Sequence, residues 1–568
     1  MNVHQVERLT AKSGVPTLKI NDYYIHSKYD PIREAQQIAE RQYTPHHAHI
    51  IFGYGCGYLV DALLSCFKHN EELLVVDPLF NERHIDINEK HIGLKIYEST
   101  ILNNFEFYLG AVAKEVRTAY KTICLPNYEK LFPEDYKLLL SKIKDVQYRV
   151  LVNDYTLIRY ARDWHMNFMG NLINLKKDAN IKTLRQVYDC PVVIASGGPS
   201  LNKQLDLLKS VRDNIILIAA GSTINSLIAE GIEPDYVVSI DGGIPNYKHF
   251  QNLKLENAQL IYTMQSHPGV RDAFLNDCFV TGINGFDAVT EYMEKQLGID
   301  LPVFISGGTV AHLAFNMALY ISSGPVALIG QDLAYTDNLT HAAHNINARP
   351  IDDKFIKEKE AFQTEGYYGE LVWTTKPFYS MKLEFEELVK LGNPDVPFFN
   401  CTEGGIKLEG FDQITFKDFV QQFVTEEKVN IYKVDRSEKL DFDLIDAIKQ
   451  DIKNYRKLIG LYTDGLKTLN SNKFNTKFEQ SILNKLDKID NKIAKVLSFV
   501  PLDSMMAPIK MQVMRGFLEK ENETVEEAYK RAYAQTETLY KKLLNITKFA
   551  KEYAEKVLND FKEKEGEA

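Results

Sequence analysis

Short, mostly apolar runs, many of those in the second half followed by Gly or Asp, recur along this 568-residue chain as far as about Glu426 and permit few architectures. They are Ala48 to Phe52, Leu73 to Val76, Thr122 to Leu125 and Tyr148 to Val152, then Val192 to Ala195, Ile215 to Ala220, Tyr236 to Ile240, Leu260 to Met264, Phe279 to Gly282 and Val326 to Gly330. A strand apolar on both faces belongs in a parallel sheet covered by helices on each side, and the stretches of helical period between the runs supply the crossovers. After Glu426 the strand signal ends. Leu444, Ile448, Ile452, Tyr455, Ile459, Tyr462, Leu466 and Leu469 repeat at threes and fours, which predicts helices, with breaks near Pro501 and Pro508. The expected fold is therefore α/β and multidomain: an N-terminal α/β domain over 1–185 with a bridging helical stretch from Tyr155 to Asp189, a central Rossmann-like, mostly parallel sheet over 186–425, and a C-terminal helical bundle over 426–568.

Composition narrows the function classes. Hydrophobic residues at 45%, charged residues at 25% and a net charge of −10 describe a globular chain and argue against a nucleic-acid groove. The six cysteines form no C-x-x-C pair, so neither a zinc site nor a disulfide framework is signalled. His46, His47 and His49 lack an acidic partner at metal-ligand spacing, and no metal is expected. Without a run of 18 apolar residues or a signal-peptide core in Met1 to Thr10, the protein is expected to stay in the cytoplasm, with no membrane partner.

The most informative turn is Ser196-Gly197-Gly198-Pro199-Ser200, where an apolar run feeds a Ser/Gly-rich bend and then a helix; backbone N–H groups gathered there suit a phosphate. Ser306-Gly307-Gly308-Thr309, before the apolar helix Val310 to Ile321, repeats the arrangement, and two such turns in one domain point to a nucleotide-linked substrate. No P-loop lysine follows Ser200, so a monophosphate or phosphodiester fits better than a triphosphate, and no G-x-S-x-G elbow marks a serine hydrolase. Other strand ends carry Ser222, Asp241 and Gln331-Asp332. Beyond the last of these lie Tyr335, Thr340, His341 and His344; a histidine here is a natural general base, oriented by a nearby carboxylate. The cluster from Glu365 to Glu370 with Tyr367 and Tyr368, and Asn400-Cys401-Thr402-Glu403-Gly404-Gly405, add polar groups to the same crevice. In the N-terminal domain, Gly53-x-Gly55-x-Gly57 with Asp77 twenty residues on has the spacing of a nucleotide or S-adenosylmethionine site, and equally that of a tight structural turn.

At these residues the chain resembles the motility-associated-factor (Maf) glycosyltransferases, which attach nonulosonic acids to flagellin. The resemblance rests on Ile194 to Ser200, Ser239-Ile240-Asp241, Gly330 to Tyr335 with Thr340-His341, and Asn400 to Gly405, in that order. Bacterial sialyltransferases are more distantly similar through Gly198-Pro199-Ser200, Ser306-Gly307 and Gly330-Gln331-Asp332. The resemblance implies a CMP-activated nonulosonic acid as donor, Ser/Thr hydroxyls of flagellin as acceptor, an inverting reaction and no required cofactor.

On that footing Gly197 to Ser200 would hold CMP, with Asp241 or Thr402-Glu403 on its ribose or base. Ser306 and Thr309 would receive the sugar carboxylate. Tyr335, Tyr367 or Tyr368 would hydrogen-bond the leaving phosphate, and His341, with His344 in reserve, would act as base. Asp332 is counted with His341, Tyr335 and Tyr368 among the catalytic candidates, and Ser222, Gly307, Gly308, Gln331 and Gly404 among the binding ones. The helical tail would grip flagellin or serve as the surface of a homo-oligomer, and truncation after about Glu426 should keep donor hydrolysis while losing flagellin modification. Two other readings stand: a pterin pyrophosphokinase, because an archaeal family of that activity resembles the central domain, and a non-catalytic flagellin-binding assembly factor.

Overall fold

The computed structural model describes residues 5–68, 71–80, 89–91, 95–97, 109, 120–285, 287–391, 396–520 and 523–566. The chain forms two compact units, one of residues 1–159 with 510–520, the other of 160–509 with 521–568, where three domains were expected.

In the first unit four parallel strands lie in the order Lys95–Tyr97, Leu73–Val76, Ala48–Phe52, Tyr120–Cys124, so the strand order reverses beside Ala48–Phe52. A small antiparallel sheet of Val6–Thr10, Pro16–Ile20 and Tyr23–Tyr24 accompanies them. The expected strand from Tyr148 to Val152 is instead part of the 43-residue helix Pro133–Leu175. Its β-branched residues favour a strand locally, but Leu139, Ile143 and Val146 bury one face at helical spacing, while Leu151 stays 65% exposed. Continuing that buried stripe outweighs a weak local propensity.

The second unit is built on a ten-stranded sheet in which every pairing is parallel. From Val192–Ala195 the strands Ile216–Ala220, Tyr236–Ser239, Gln259–Thr263, Cys278–Ile283 and Val303–Phe304 run out in one direction, and Val326–Ile329, Phe398–Asn400 and Asp412–Gln413 in the other. Ala179–Asn180 also pairs with Cys278–Ile283. Alternate residues serve two cores, as double-sided burial demands. Val192, Ile194, Ile216 and Ile218 pack on the helix Val310–Ile321 through Leu313, Ala314 and Phe315. Val193, Ala195, Leu217 and Ala219 face a cluster that includes Leu444, Ile448, Tyr455, Leu458 and Tyr462 of the helix Leu444–Asn470.

That second cluster explains why the tail is no separate bundle. Its helices share their apolar core with the central sheet, so truncation after Glu426 would strip one face of the sheet, and the expected truncation phenotype gives way to unfolding. The break near Pro501 is present between the helices Gln480–Leu497 and Asp503–Gly516, whereas Pro508 lies inside the latter. No helix among the described residues is long and apolar enough to cross a membrane.

Candidate functional site

In open parallel sheets ligands collect beyond the carboxyl ends of the strands, where the strand order reverses. Here that point lies between Val192–Ala195 and Val326–Ile329, which places the Ser196 turn against Gly330-Gln331-Asp332. The two turns are laced together. Ser196 Oγ donates to Gln331 Oε1 (2.5 Å), Gly198 N to the Gly330 carbonyl (2.8 Å), and Ser200 Oγ and N to the Asp332 carboxylate (2.6 and 3.2 Å). The third motif closes on the same residues: Gln331 N donates to Thr402 Oγ1 (3.3 Å), Ile406 N to the Asp332 carbonyl (2.8 Å), and Gly404 backs onto Ser200. Glu403 turns away to cap the helix Phe416–Phe423, accepting from Phe416 N (3.0 Å).

This geometry revises several assignments. Asp332 is 2% exposed, and burial pushes its pKa up to about 6. Its carboxylate accepts from Ser200 N and Oγ and so braces the Ser196 turn, the part of a positioning residue. The N–H groups of Gly198 and Ser200 are engaged and Pro199 has none; among the described residues Gly197 N is the one N–H of this turn with no acceptor in the chain. The helical pieces that follow, Pro199–Lys203 and Leu205–Ser210, are short, so little dipole reaches the turn. What remains open to the crevice is the Gly197 face, ringed by Asn345 Nδ2, Thr223 Oγ1 and Ser222 Oγ.

A loop from Thr340 to Arg349 straps over that face. Thr340 and Arg349 close its base by backbone pairing (Thr340 N to Arg349 O, 3.0 Å), Ala342 N donates to the Gly197 carbonyl (3.0 Å), and Asn345 Nδ2 reaches the Ser222 carbonyl (3.4 Å). His341 lies on this strap and lines the pocket beside it, with Tyr335 and Arg349. Its Nδ1 is buried without a hydrogen-bond partner, and burial lowers its pKa, so the ring is neutral at physiological pH, the state a general base needs. The expected orienting carboxylate is not its partner; the ring leans on the Asn347 backbone. His344 faces away, its Nε2 3.4 Å from Glu230.

Of the tyrosines, Tyr335 is held between Phe355 and Phe378, with ring centroids 5.1 and 5.5 Å away, and lines the same pocket as His341. The Tyr367 hydroxyl is bound to the carbonyls of Asn400 and Ile414, which removes it as a phosphate donor. Tyr368 stands 67% exposed at the turn between Phe362–Glu365 and Leu371–Thr374.

Asp241 is solvent-exposed, yet enough protein surrounds it that desolvation raises its pKa. Its neighbourhood is fixed by two residues that sequence reasoning missed. Asn167 Nδ2 donates to the carbonyls of Gly242 and Gln265 (both 2.9 Å), and Asn171 Nδ2 to those of Met264 and Ser266 (3.1 and 2.8 Å). Two asparagines four apart within the apolar stripe Phe168, Leu172, Leu175 were the available signal, since a buried amide must find partners. Asn171→Ala is expected to lower stability by about 2–3 kcal/mol, because it orphans two buried carbonyls. Melting at the wild-type temperature would show that the clamp carries no load.

The Ser306 turn is already filled. Ser306 N donates to Asn284 Oδ1 (3.0 Å), Gly308 N to the Glu384 carboxylate, and Thr309 N to His312 Nδ1 (3.2 Å). The His312 ring is buried and its pKa falls to about 4, so it acts as a neutral acceptor. A side-chain carboxylate of the chain, that of Glu384, takes the Gly308 N–H expected for a ligand's carboxylate, and Thr309 is the N-cap of the helix Val310–Ile321.

The first unit repeats the device. Asp77, fully buried with its pKa pushed up to about 6 by burial, accepts from Tyr54 N (2.6 Å), Leu79 N (2.8 Å) and Tyr128 Oη (3.0 Å) inside the Gly53-x-Gly55-x-Gly57 turn. It is therefore not available to a ribose, and the tight-turn reading describes what it does. His49 is buried and accepts from Thr44 N (3.2 Å); no group of three or more His, Cys, Asp or Glu among the described residues is placed to hold a metal.

A doubly wound parallel sheet with its crevice at the strand-order reversal defines the class of fold. Two comparisons locate it further. A family model described as MptE-like 6-hydroxymethylpterin diphosphokinase matches residues 166–338. The solved structure of a MAf glycosyltransferase from Magnetospirillum magneticum AMB-1 shares the fold over 98% of this chain and 93% of that one, with a TM-score of 0.58 and 14% sequence identity. No curated protein sequence matches the chain.

Proposed function

We propose that this chain is a glycosyltransferase that moves a nonulosonic acid from a CMP-activated donor onto Ser or Thr hydroxyls of flagellin. The observation that carries the reading is the convergence of three separated motifs on one crevice, with a strap over its open face that also carries His341 into the pocket beside it. The fold likeness to a MAf glycosyltransferase over nearly the whole chain supports it, because the pterin-kinase family model accounts for the central part alone.

In this reading the CMP phosphate lies against the Gly197 N–H and the Ser222 hydroxyl, and Asp241 accepts from the ribose hydroxyls. The acceptor hydroxyl oxygen attacks the anomeric carbon as its proton passes to His341. The bond from that carbon to the phosphate oxygen breaks, and CMP leaves with the bonding pair. Attack opposite the leaving group inverts the anomeric centre. Tyr335, or Tyr368 from its exposed turn, would donate to the phosphate as charge develops there, the kind of electrostatic help that commonly supplies the largest share of a rate enhancement.

His341→Ala is expected to lower transfer by about 10²–10⁴-fold, the range of a general base, while CMP binding stays at the wild-type level; unchanged turnover removes His341 from the mechanism. Calorimetry with CMP and with ATP separates this function from its rival. Binding of ATP with hydroxymethylpterin, and none of CMP, would favour a diphosphokinase, to which the match over 166–338 lends support.

A further inference from the structure

If the Ser306 turn is closed by Glu384, the carboxylate of an acidic sugar needs another receptor, and the second unit holds a site suited to it. Beside the strap lies a pocket of about 430 Å³, within the ~300–1,000 Å³ of small-molecule sites. One side of it is aromatic, from Tyr335, Phe355 and Phe378, and another is cationic, from Arg349 and Lys359, with His341 at its edge. No acidic side chain lines it, and no described residue forms an ion pair with Arg349 or Lys359. The guanidinium lies 5.5 Å from the Phe355 ring centroid. Its backbone is pinned on both sides by Thr340, with Arg349 N donating to Thr340 Oγ1 and the Arg349 carbonyl accepting from Thr340 N, both 3.0 Å.

The geometry points to this pocket as the subsite for the sugar acid of the donor, with Arg349 gripping its carboxylate, Lys359 adding charge, and Phe355 with Phe378 packing an N-acyl group or the apolar ring face. An arginine with a fixed backbone and an unshared guanidinium presents the planar fork that carboxylates bind in bidentate fashion. In a nonulosonic acid the carboxylate sits on the anomeric carbon itself, so holding it beside His341 also holds the reacting carbon within reach of the base. Lys359, at the end of the helix Asp353–Glu358, supplies a compact charge without such a fork, and its share is the smaller. This assignment rests on the glycosyltransferase reading and adds to it the residues that select an acidic, acylated sugar.

The test uses the full-length chain in calorimetric titrations with CMP, CMP-N-acetylneuraminate, CMP-pseudaminate and CMP-legionaminate. The wild type is expected to bind at least one sugar nucleotide about ten-fold or more tighter than CMP. Arg349→Gln should erase that advantage while leaving the CMP affinity and Tm unchanged, and Arg349→Lys should restore part of it. Three results overturn the subsite: an equal affinity of the wild type for CMP and every sugar nucleotide, an advantage that survives Arg349→Gln, or a loss of CMP affinity itself in that variant, which would assign the guanidinium to the phosphate. Failure of the wild type to bind any of the four ligands is a different outcome and removes the glycosyltransferase reading along with the subsite.

Discussion

Gly198→Ala should lower the melting temperature of the chain sharply and abolish the proposed CMP binding, whereas Gly197→Ala, one residue away, should leave the melting temperature close to wild type and weaken that binding alone. The difference lies in what each new methyl group meets. A Cβ on Gly198 would stand 2.5 Å from the Gly330 carbonyl oxygen and nearer still to the Asp332 carboxylate. Neither can retreat, because the first is held by Gly198 N and the second by Ser200. Overpacking against fixed neighbours costs about 3 kcal/mol or more, and relief would part the two turns whose contact makes the crevice. At Gly197 the nearest atoms are 3.5 Å away, ordinary contact distance, and they are the polar atoms that ring the open face. Thermal melts and CMP titrations of the two variants check this; equal melting temperatures would mean that the Asp332 brace does not hold the site together.

Asp451→Asn is expected to stabilise the protein by several kcal/mol at pH 8 and by only about 1–2 kcal/mol near pH 5. Asp451, on the helix Leu444–Asn470, is 1% exposed; burial pushes its pKa up to about 8, the Tyr292 hydroxyl at 2.7 Å opposing that only in part. In the unfolded chain an aspartate titrates near ~3.9. Between those values the folded state keeps a proton that the unfolded state has released, so stability falls as pH rises through this window, by at most ~1.4 kcal/mol per pH unit. Asparagine keeps an acceptor for Tyr292 and carries no proton to lose. Asp77 and Asp332, raised to about 6, and the buried histidines His26, His49, His165 and His312, lowered to about 4, add their own slopes at lower pH, so the comparison is read most cleanly between pH 7 and 8.5. A stability difference of the same size at pH 5 and pH 8 would rule this account out.

The fold was legible where one local rule covered a whole element. Ala48–Phe52, Leu73–Val76, Val192–Ala195 and the helix Val310–Ile321 appear with the bounds their residues predict, since double-sided apolar runs and a long apolar helix leave little choice. Reading failed where burial was decided by distant chain. Tyr148 to Val152 looks like a strand until the helix on either side imposes its register, and the tail looks like a free bundle until the sheet face it covers is known. The dense strand run in the central domain carried no hint that Leu444, Ile448 and Tyr455 would complete its core.

The same division holds at the site. Sequence alone determined that Ser196 to Ser200, Gly330 to Asp332 and Thr402 to Gly405 would lie at strand ends on one edge of a parallel sheet, because strand–turn–helix punctuation is local and parallel crossovers bring all carboxyl ends together. Tertiary structure alone decided which polar groups are already satisfied. Asp332, Glu384 and Asp77 each close a glycine turn of their own unit, so the carboxylates and N–H groups that look most ready for a ligand are engaged. Arg349, unremarked in the sequence, is left without a counter-ion beside His341. The reason is physical: a buried hydrogen-bonding group must be paired, and its partner comes from whichever part of the chain packs against it, across sequence separations that no local pattern encodes.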